Sequence, residues 1–255
     1  MLQRLFMLAL CAMQALWADV CDGLPAGPPE RADASGSNKP QSFKLSVNSG
    51  GPAFRITVRP IWQLDTVFLV GDIHTGDIEV ARCQDGKRLQ ALPIMADQPV
   101  SYGSTFHAED INFDGYLDFS VLTEFGASFE IRSYWVYDPA SRLFVQNELT
   151  RGLGRLGASG VSKIDFDPKK HEVIMWGDIC AMCGCPNMTE DQGGGNVDRY
   201  RVVNNRLILI HKQEYEIHQK GGSFQFCLLT LSDLVGGTMR VAEVRRYDAQ
   251  GQRVK

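Results

Sequence analysis

Oxygen donors fall at alternate positions along Asp110-Ile-Asn-Phe-Asp-Gly-Tyr-Leu-Asp118, and a glycine sits where the chain must bend among them. Asp110, Asn112 and Asp114 offer side-chain oxygens at the first, third and fifth places of a cation loop. Gly115 follows at the sixth, where a turn needs a residue without a Cβ. The main-chain carbonyl of Tyr116 and the carboxylate of Asp118 complete the set. A hard cation such as calcium takes about six to eight oxygens, and this segment supplies about five before water joins. The spacing therefore points to structural Ca2+. It is not an EF-hand, because Val121 stands where a bidentate Glu would close the loop and the flanks read as strand. Such a loop stabilises a fold by binding only its folded form, so the function has to be sought elsewhere.

The elements that would hold this loop read as short strands. Ala53-Phe-Arg-Ile-Thr-Val58 and Asp77-Ile-Glu-Val-Ala-Arg82 alternate with period two. Tyr134–Tyr137 turns at Asp138-Pro139 and resumes at Leu143. Ile164–Phe166 turns at Asp167-Pro168 and resumes at Glu172. Arg199–Val203 turns at Asn204-Asn205 and returns as Leu207–Ile210. The two Asp-Pro hairpins hint at a degenerate repeat. An all-β fold is expected, a propeller-like array of antiparallel hairpins, with a β-sandwich as the alternative. No amphipathic helix of three or more turns stands out.

Residues 1–18 read as a secretory signal: one charge at Arg4, an apolar run from Leu5 to Trp17, and small residues before Asp19. The run is too short to span a membrane, and Leu10 before Cys11 and Val20 before Cys21 do not suit a lipid anchor. Residues 19–42, rich in Pro, Gly, Ala and Ser, are expected to be a flexible leader. One domain is expected over 43–255. The formal charge of −4 and the lack of a basic cluster with interleaved aromatics argue against nucleic acid.

Beyond the signal stand Cys21, Cys83, Cys180, Cys183, Cys185 and Cys227. An even number in an exported chain favours disulfides, with the pairing left open. The cluster Cys180-x-x-Cys183-x-Cys185 also admits a thiolate metal site, but no second Cys or His pair lies at regular spacing nearby. The Gly-rich stretch near 180–196 is expected to be a loop pinned by disulfides. His74, His107, His171, His211 and His218 form no HExxH-type pair, and no G-x-S-x-G is present, so no enzyme is indicated.

The export signal, the D-x-N-x-D-G-x-x-D loop running into Asp118-Phe-Ser-Val121, the Ser133-Tyr-Trp-Val-Tyr-Asp-Pro139 segment with Phe144, and the Tyr200–Arg206 hairpin together resemble a known family. It comprises periplasmic immunity proteins of Xanthomonas-type bacteria that act against peptidoglycan hydrolases delivered by a type IV secretion system. These are related to inhibitors of invertebrate-type lysozyme. The resemblance covers roughly residues 100–215. It implies a periplasmic inhibitor, not membrane-spanning, whose partner is a peptidoglycan hydrolase and which works by inserting a loop into the partner's cleft. In the inhibitors that loop carries Ser-Gly-x-Tyr; here Ser159-Gly160-Val161-Ser162 stands in a corresponding place, with serine for tyrosine. The alternative is an exported calcium-stabilised β binding module with no inhibitory activity.

Overall fold

The computed structural model describes residues 20–24, 40–59, 74–96, 106–125, 130–157, 161–177 and 196–254. Three antiparallel sheets account for most of them. The first is a meander of β1 (Gln41–Ser46), β2 (Ala53–Arg59), β3 (His74–Arg82) and β4 (Arg88–Ala96). The second runs in the order β5 (Phe106–Glu109), β6 (Asp118–Phe125), β7 (Glu130–Asp138) and β8 (Leu143–Val145). The third has seven strands: β9 (Val161–Asp167), β10 (Glu172–Gly177), β11 (Asn196–Val203), β12 (Arg206–Lys220), β13 (Ser223–Val235), β14 (Thr238–Tyr247) and β15 (Arg253–Val254). The all-β expectation holds, and no helix among the described residues is long and apolar enough to cross a membrane.

The described residues form two compact units. One holds those up to Glu109 together with Gly115–Ser120 and Tyr137–Phe144; the other holds Asp110–Asp114, Val121–Val136 and everything from Val145. The sequence reading expected one domain over 43–255.

The first unit is built on rings. Period-two alternation sends Phe43, Leu45, Phe54, Ile56, Ile78 and Val80 to one face of the first sheet, where all are buried. Phe43 stacks on Phe106 at 5.0 Å, Phe106 on Phe119 at 5.4 Å, and Phe119 meets Phe144 at 4.9 Å. Phe54 and Tyr137 close on Phe144 at 5.4 Å each. Each such pair adds about 0.5–1.5 kcal/mol beyond the area it buries. Gln90 then substitutes for a strand neighbour. Its amide donates to the Phe144 carbonyl at 2.9 Å and accepts the Phe144 N–H at 2.9 Å.

Cys21 and Cys83 are joined by a disulfide, with Cα atoms 5.2 Å apart, and the Val20 N–H donates to the Cys83 carbonyl at 3.0 Å. Residues 20–24, which the sequence reading placed in the flexible leader, are thus tied to the turn after β3. Residues 25–39 lie outside the described residues. Cys227 is disulfide-bonded too; Cys180, Cys183 and Cys185, like most of the loop expected to be pinned near 180–196, lie outside the described residues.

The second unit packs β9–β12 against a helix that the sequence reading did not single out, α1 (Glu148–Gly157). Three glycines in its ten residues (Gly152, Gly154 and Gly157) lower its propensity. Tertiary burial prevails over propensity here. Leu149 and Leu153 are fully buried against Ile111, Tyr134, Val136, Val173 and Met175. A reciprocal cap starts it: the Thr150 N–H donates to Asn147 Oδ1 at 3.1 Å, and the Asn147 N–H donates to Thr150 Oγ1 at 2.8 Å. Gly152 is small for a reason, since a Cβ there would meet Leu207 Cδ1 at 3.3 Å.

The hairpin turns follow the sequence closely. Asp138 accepts the N–H groups of Ala140 and Ser141 at 3.1 and 3.2 Å, and Arg142 then takes φ 58°. Asp167 repeats the device with Lys169 and Lys170 at 3.0 and 3.2 Å, and His171 takes φ 55°. Asn204 and Asn205 both have positive φ, 51° and 58°, as a two-residue hairpin turn requires.

The Cys21–Cys83 link closes a span of 62 residues, which in the chain-entropy treatment is worth about 4 kcal/mol. The double variant Cys21→Ser/Cys83→Ser should melt about 10 °C lower than the native chain in a thermal scan. An unchanged melt would show that the link constrains nothing.

Candidate metal centre

The first half of the acidic loop is held by its apolar residues. Ile111 is fully buried in the core under α1, and Phe113 packs against the same cluster. The Phe113 ring stacks on His171 at 5.3 Å and tilts onto Phe166 at 6.4 Å. Between these anchors the polar side chains of positions 110, 112 and 114 face one another. The Asp114 N–H donates to Asp110 Oδ1 at 3.0 Å and to Asn112 Oδ1 at 3.2 Å. Asn112 Nδ2 donates to Asp114 Oδ2 at 2.9 Å. Phe113 has φ 61° and Gly115 has φ 87°, so the bend is made by two left-handed residues. Phe113 tolerates that conformation because its ring is fixed on two sides; Gly115 needs no such support.

The second half is anchored separately. The Leu117 N–H donates to the Val47 carbonyl at 2.6 Å, and the Tyr116 ring lies 5.5 Å from Tyr137. Asp118 is completely buried at the start of β6, and the Tyr137 N–H donates to its Oδ1 at 2.7 Å. That bond is short, as one to a carboxylate should be.

The residues fit a hard cation in type and order: three carboxylates, one amide oxygen and one main-chain carbonyl, across a glycine bend. The structure brings Asp110, Asn112 and Asp114 together. It does not assemble a set of three or more Asp, Glu, His or Cys side chains as metal ligands anywhere among the described residues. Asp118, the deepest of the expected ligands, has committed one oxygen to a backbone amide.

Ser159 and Gly160 of the expected inhibitory loop lie outside the described residues, and Ser162 is the second residue of β9. Among the histidines, His171 stacks on Phe113, His211 Nδ1 lies 2.7 Å from Asp233 Oδ1, and His218 stacks on Phe226 at 4.2 Å.

The sequence reading passed over Asp198. The Tyr200 hydroxyl donates to its Oδ2 at 3.3 Å, half-buried on the sheet face that carries the core. Burial raises the Asp198 pKa, offset in part by Lys212 and by the Tyr200 hydroxyl. Burial and the adjacent carboxylate push Tyr200 up to about 12. Both groups hold their protons more tightly than usual, which suits a hydrogen-bonded strut and not a nucleophile. No motif marks an i, i+2 Asp–Tyr pair; only the bulge between Arg199 and Tyr200 and the packing around it create the environment.

Two outcomes check this account. Asp118→Ala orphans the buried Tyr137 N–H and should cost about 1–3 kcal/mol in denaturant unfolding, while Asp118→Asn keeps an acceptor and costs less. Equal stability of the two variants would mean the carboxylate is not the partner. For Asp198 the folded pKa lies above the ordinary value, so its favourable contribution is complete below that value and is lost as pH rises through the folded pKa. Asp198→Asn should therefore melt higher than the native chain at pH 7 and lose that advantage toward pH 3.

No protein-family model matches the chain, and no curated protein matches it. Among solved structures, one described as a Xanthomonas type IV secretion system related protein aligns with 85% of this chain and 98% of its own, at 16% identity and a TM-score of 0.48.

Proposed function

We propose that the chain is an exported, periplasmic, calcium-stabilised immunity protein that inhibits a peptidoglycan hydrolase of lysozyme-like type. The observation that carries this reading is the loop at 110–118. Its donor order, its two left-handed bend residues and the mutual facing of Asp110, Asn112 and Asp114 support a structural Ca2+. With Tyr116 and Asp118 these residues would hold the ion. When bound, it offsets the repulsion among carboxylates and stabilises the fold by mass action.

The loop, the hairpin around Asp138-Pro139 and the Tyr200–Arg206 hairpin are the segments on which the resemblance to the immunity proteins rests. The two four-stranded sheets have the up-and-down order of a propeller blade, which supports the propeller-like array; the seven-stranded sheet exceeds a blade's usual count. Inhibition would fall to the segment Ser159-Gly160-Val161-Ser162, presented by a scaffold that needs little ordering on binding. The serine at 162 removes the aromatic anchor of the related inhibitors, and this favours a second reading as a non-inhibitory binding module.

Residues 19–255, purified with calcium, should suppress peptidoglycan clearance by one member of a panel of lysozymes and secreted peptidoglycan hydrolases at a one-to-one ratio. Ser159→Ala/Ser162→Ala should relieve that suppression without moving the melt. Absence of suppression across the panel leaves the binding module as the function. Calcium is checked independently: a chelator should lower the native melting temperature and leave Asp114→Ala unmoved. Identical native melts with and without chelator would exclude the ion.

A further inference from the structure

The seven-stranded sheet ends on an edge that no described strand completes. β15 pairs only with Arg246 and Tyr247, so among the described residues Thr238–Arg245 of β14 have no strand on their outer side. Thr238, Arg240, Val241, Ala242 and Val244 are all exposed. Such an edge presents a row of backbone N–H and C=O groups, a template for one more strand.

Strand register fixes what each side of that edge offers. Arg240, Glu243 and Arg245 lie opposite Asp233, Leu231 and Leu229 and so share one face. Met239, Val241 and Val244 lie opposite Leu234, Ser232 and Thr230 and share the other, with Ala242 the extra residue of a bulge. Val254, opposite Arg246, joins the valine face. Val241 and Val244 are 62% and 52% exposed, so the apolar side of this edge is bare.

The edge is also basic. β14 and β15 carry Arg240, Arg245, Arg246 and Arg253 against Glu243 alone, on a chain whose formal total is −4. Arg245 and Arg253 both meet Glu243, at 2.6 and 2.7 Å, and the Arg246 guanidinium lies 4.0 Å over Phe226. Behind them β13 adds one acid, Asp233, which also meets His211 Nδ1 at 2.7 Å. Asp248 spends its Oδ1 on the Gln250 and Gln252 N–H groups of the turn. On the valine face Glu214 and Glu216 stand two strands back on β12, beside Lys212 and His218. Even with Asp233 counted, Arg240, Arg245 and Arg253 outnumber the carboxylates of their face.

We infer that the β14 edge receives an extended segment of a partner protein as an added strand, one that alternates carboxylate and apolar side chains. Backbone groups supply the hydrogen bonds, and period-two alternation sends the two kinds of side chain to opposite faces. Apolar side chains then cover Val241 and Val244, while carboxylates reach Arg240 and Arg245. A guanidinium carries five N–H donors, so Arg245 keeps donors beyond its bond to Glu243. The same charges decide against a second copy of this chain, which would set β14 arginines against their own kind. Arginines and a bulge thus bar like edges and admit an acidic strand.

The test uses residues 19–255 and a fluorescein-labelled peptide of alternating glutamate and valine, with binding read by anisotropy. The native chain should bind it, more weakly as salt rises. A peptide of the same composition with its glutamates and valines in two blocks should bind far less. N-methylation of every second amide, on the side that meets β14, should abolish binding while leaving every charge in place. Arg240→Gln should weaken binding by about threefold. Val244→Glu should weaken it further, and Lys163→Gln on the opposite edge of the sheet should leave it unchanged. Equal binding of the block or N-methylated peptides would overturn the assignment in favour of a general polyanion surface. Failure of the native chain to bind, or an equal loss in Lys163→Gln, would overturn it outright. The peptide arms use the native chain throughout, so they stand even where a variant melts early. A hydrolase panel that shows no inhibition would leave this result untouched.

Discussion

A carboxylate sealed from water has to be given hydrogen bonds, and much of this molecule is arranged around one such demand. Asp118 has no exposed surface and takes the Tyr137 N–H at 2.7 Å. Meeting that demand fixes the start of β6 beside the end of β7 and sets Tyr137 against Tyr116, Phe54 and Phe144. The ring network then has a defined geometry on which the first sheet can pack. The loop that delivers Asp118 must leave β5, bend through Phe113 and Gly115, and arrive with its last carboxylate pointing inward.

The same chain shows other answers to the problem of a confined carboxylate. Asp198 is half-buried with a tyrosine hydroxyl and keeps its proton more readily than usual. Glu79 stays among three arginines at the surface. Asp138 and Asp167 spend their oxygens on the N–H groups of the turns that follow them. Partner type separates these cases: backbone amides make a carboxylate structural, burial raises the pKa of one beside a tyrosine hydroxyl, and arginines hold one in ion pairs at the sheet surface.

Local chemistry made a good part of the fold legible. Positive φ at Asn204 and Asn205 follows from asparagine's tolerance of that region, and the two Asp-Pro turns share one hydrogen-bonding device because both begin with an aspartate able to cap the amides beyond it. Alternation along β2 and β3 identified their buried faces. The helix at Glu148–Gly157 was not legible, because its glycines weaken the local signal and its stability comes from Leu149 and Leu153 in a core assembled from distant strands.

What the sequence determined by itself, then, is whatever depends on near neighbours: the order of donors in the loop at 110–118, the hairpin turns, the β class, and the presence of paired cysteines. Tertiary structure decided the rest. Which cysteine joins Cys21 depends on two Cα atoms coming within 5.2 Å across 62 residues of sequence separation. Whether Asp118 is buried against the Tyr137 N–H depends on the start of β6 meeting the end of β7, and whether Arg55, Arg59 and Arg88 meet on Glu79 depends on strand register. Side-chain alternation fixes a residue's face only relative to its own strand; a partner several strands or turns away is chosen by packing, which no local pattern encodes.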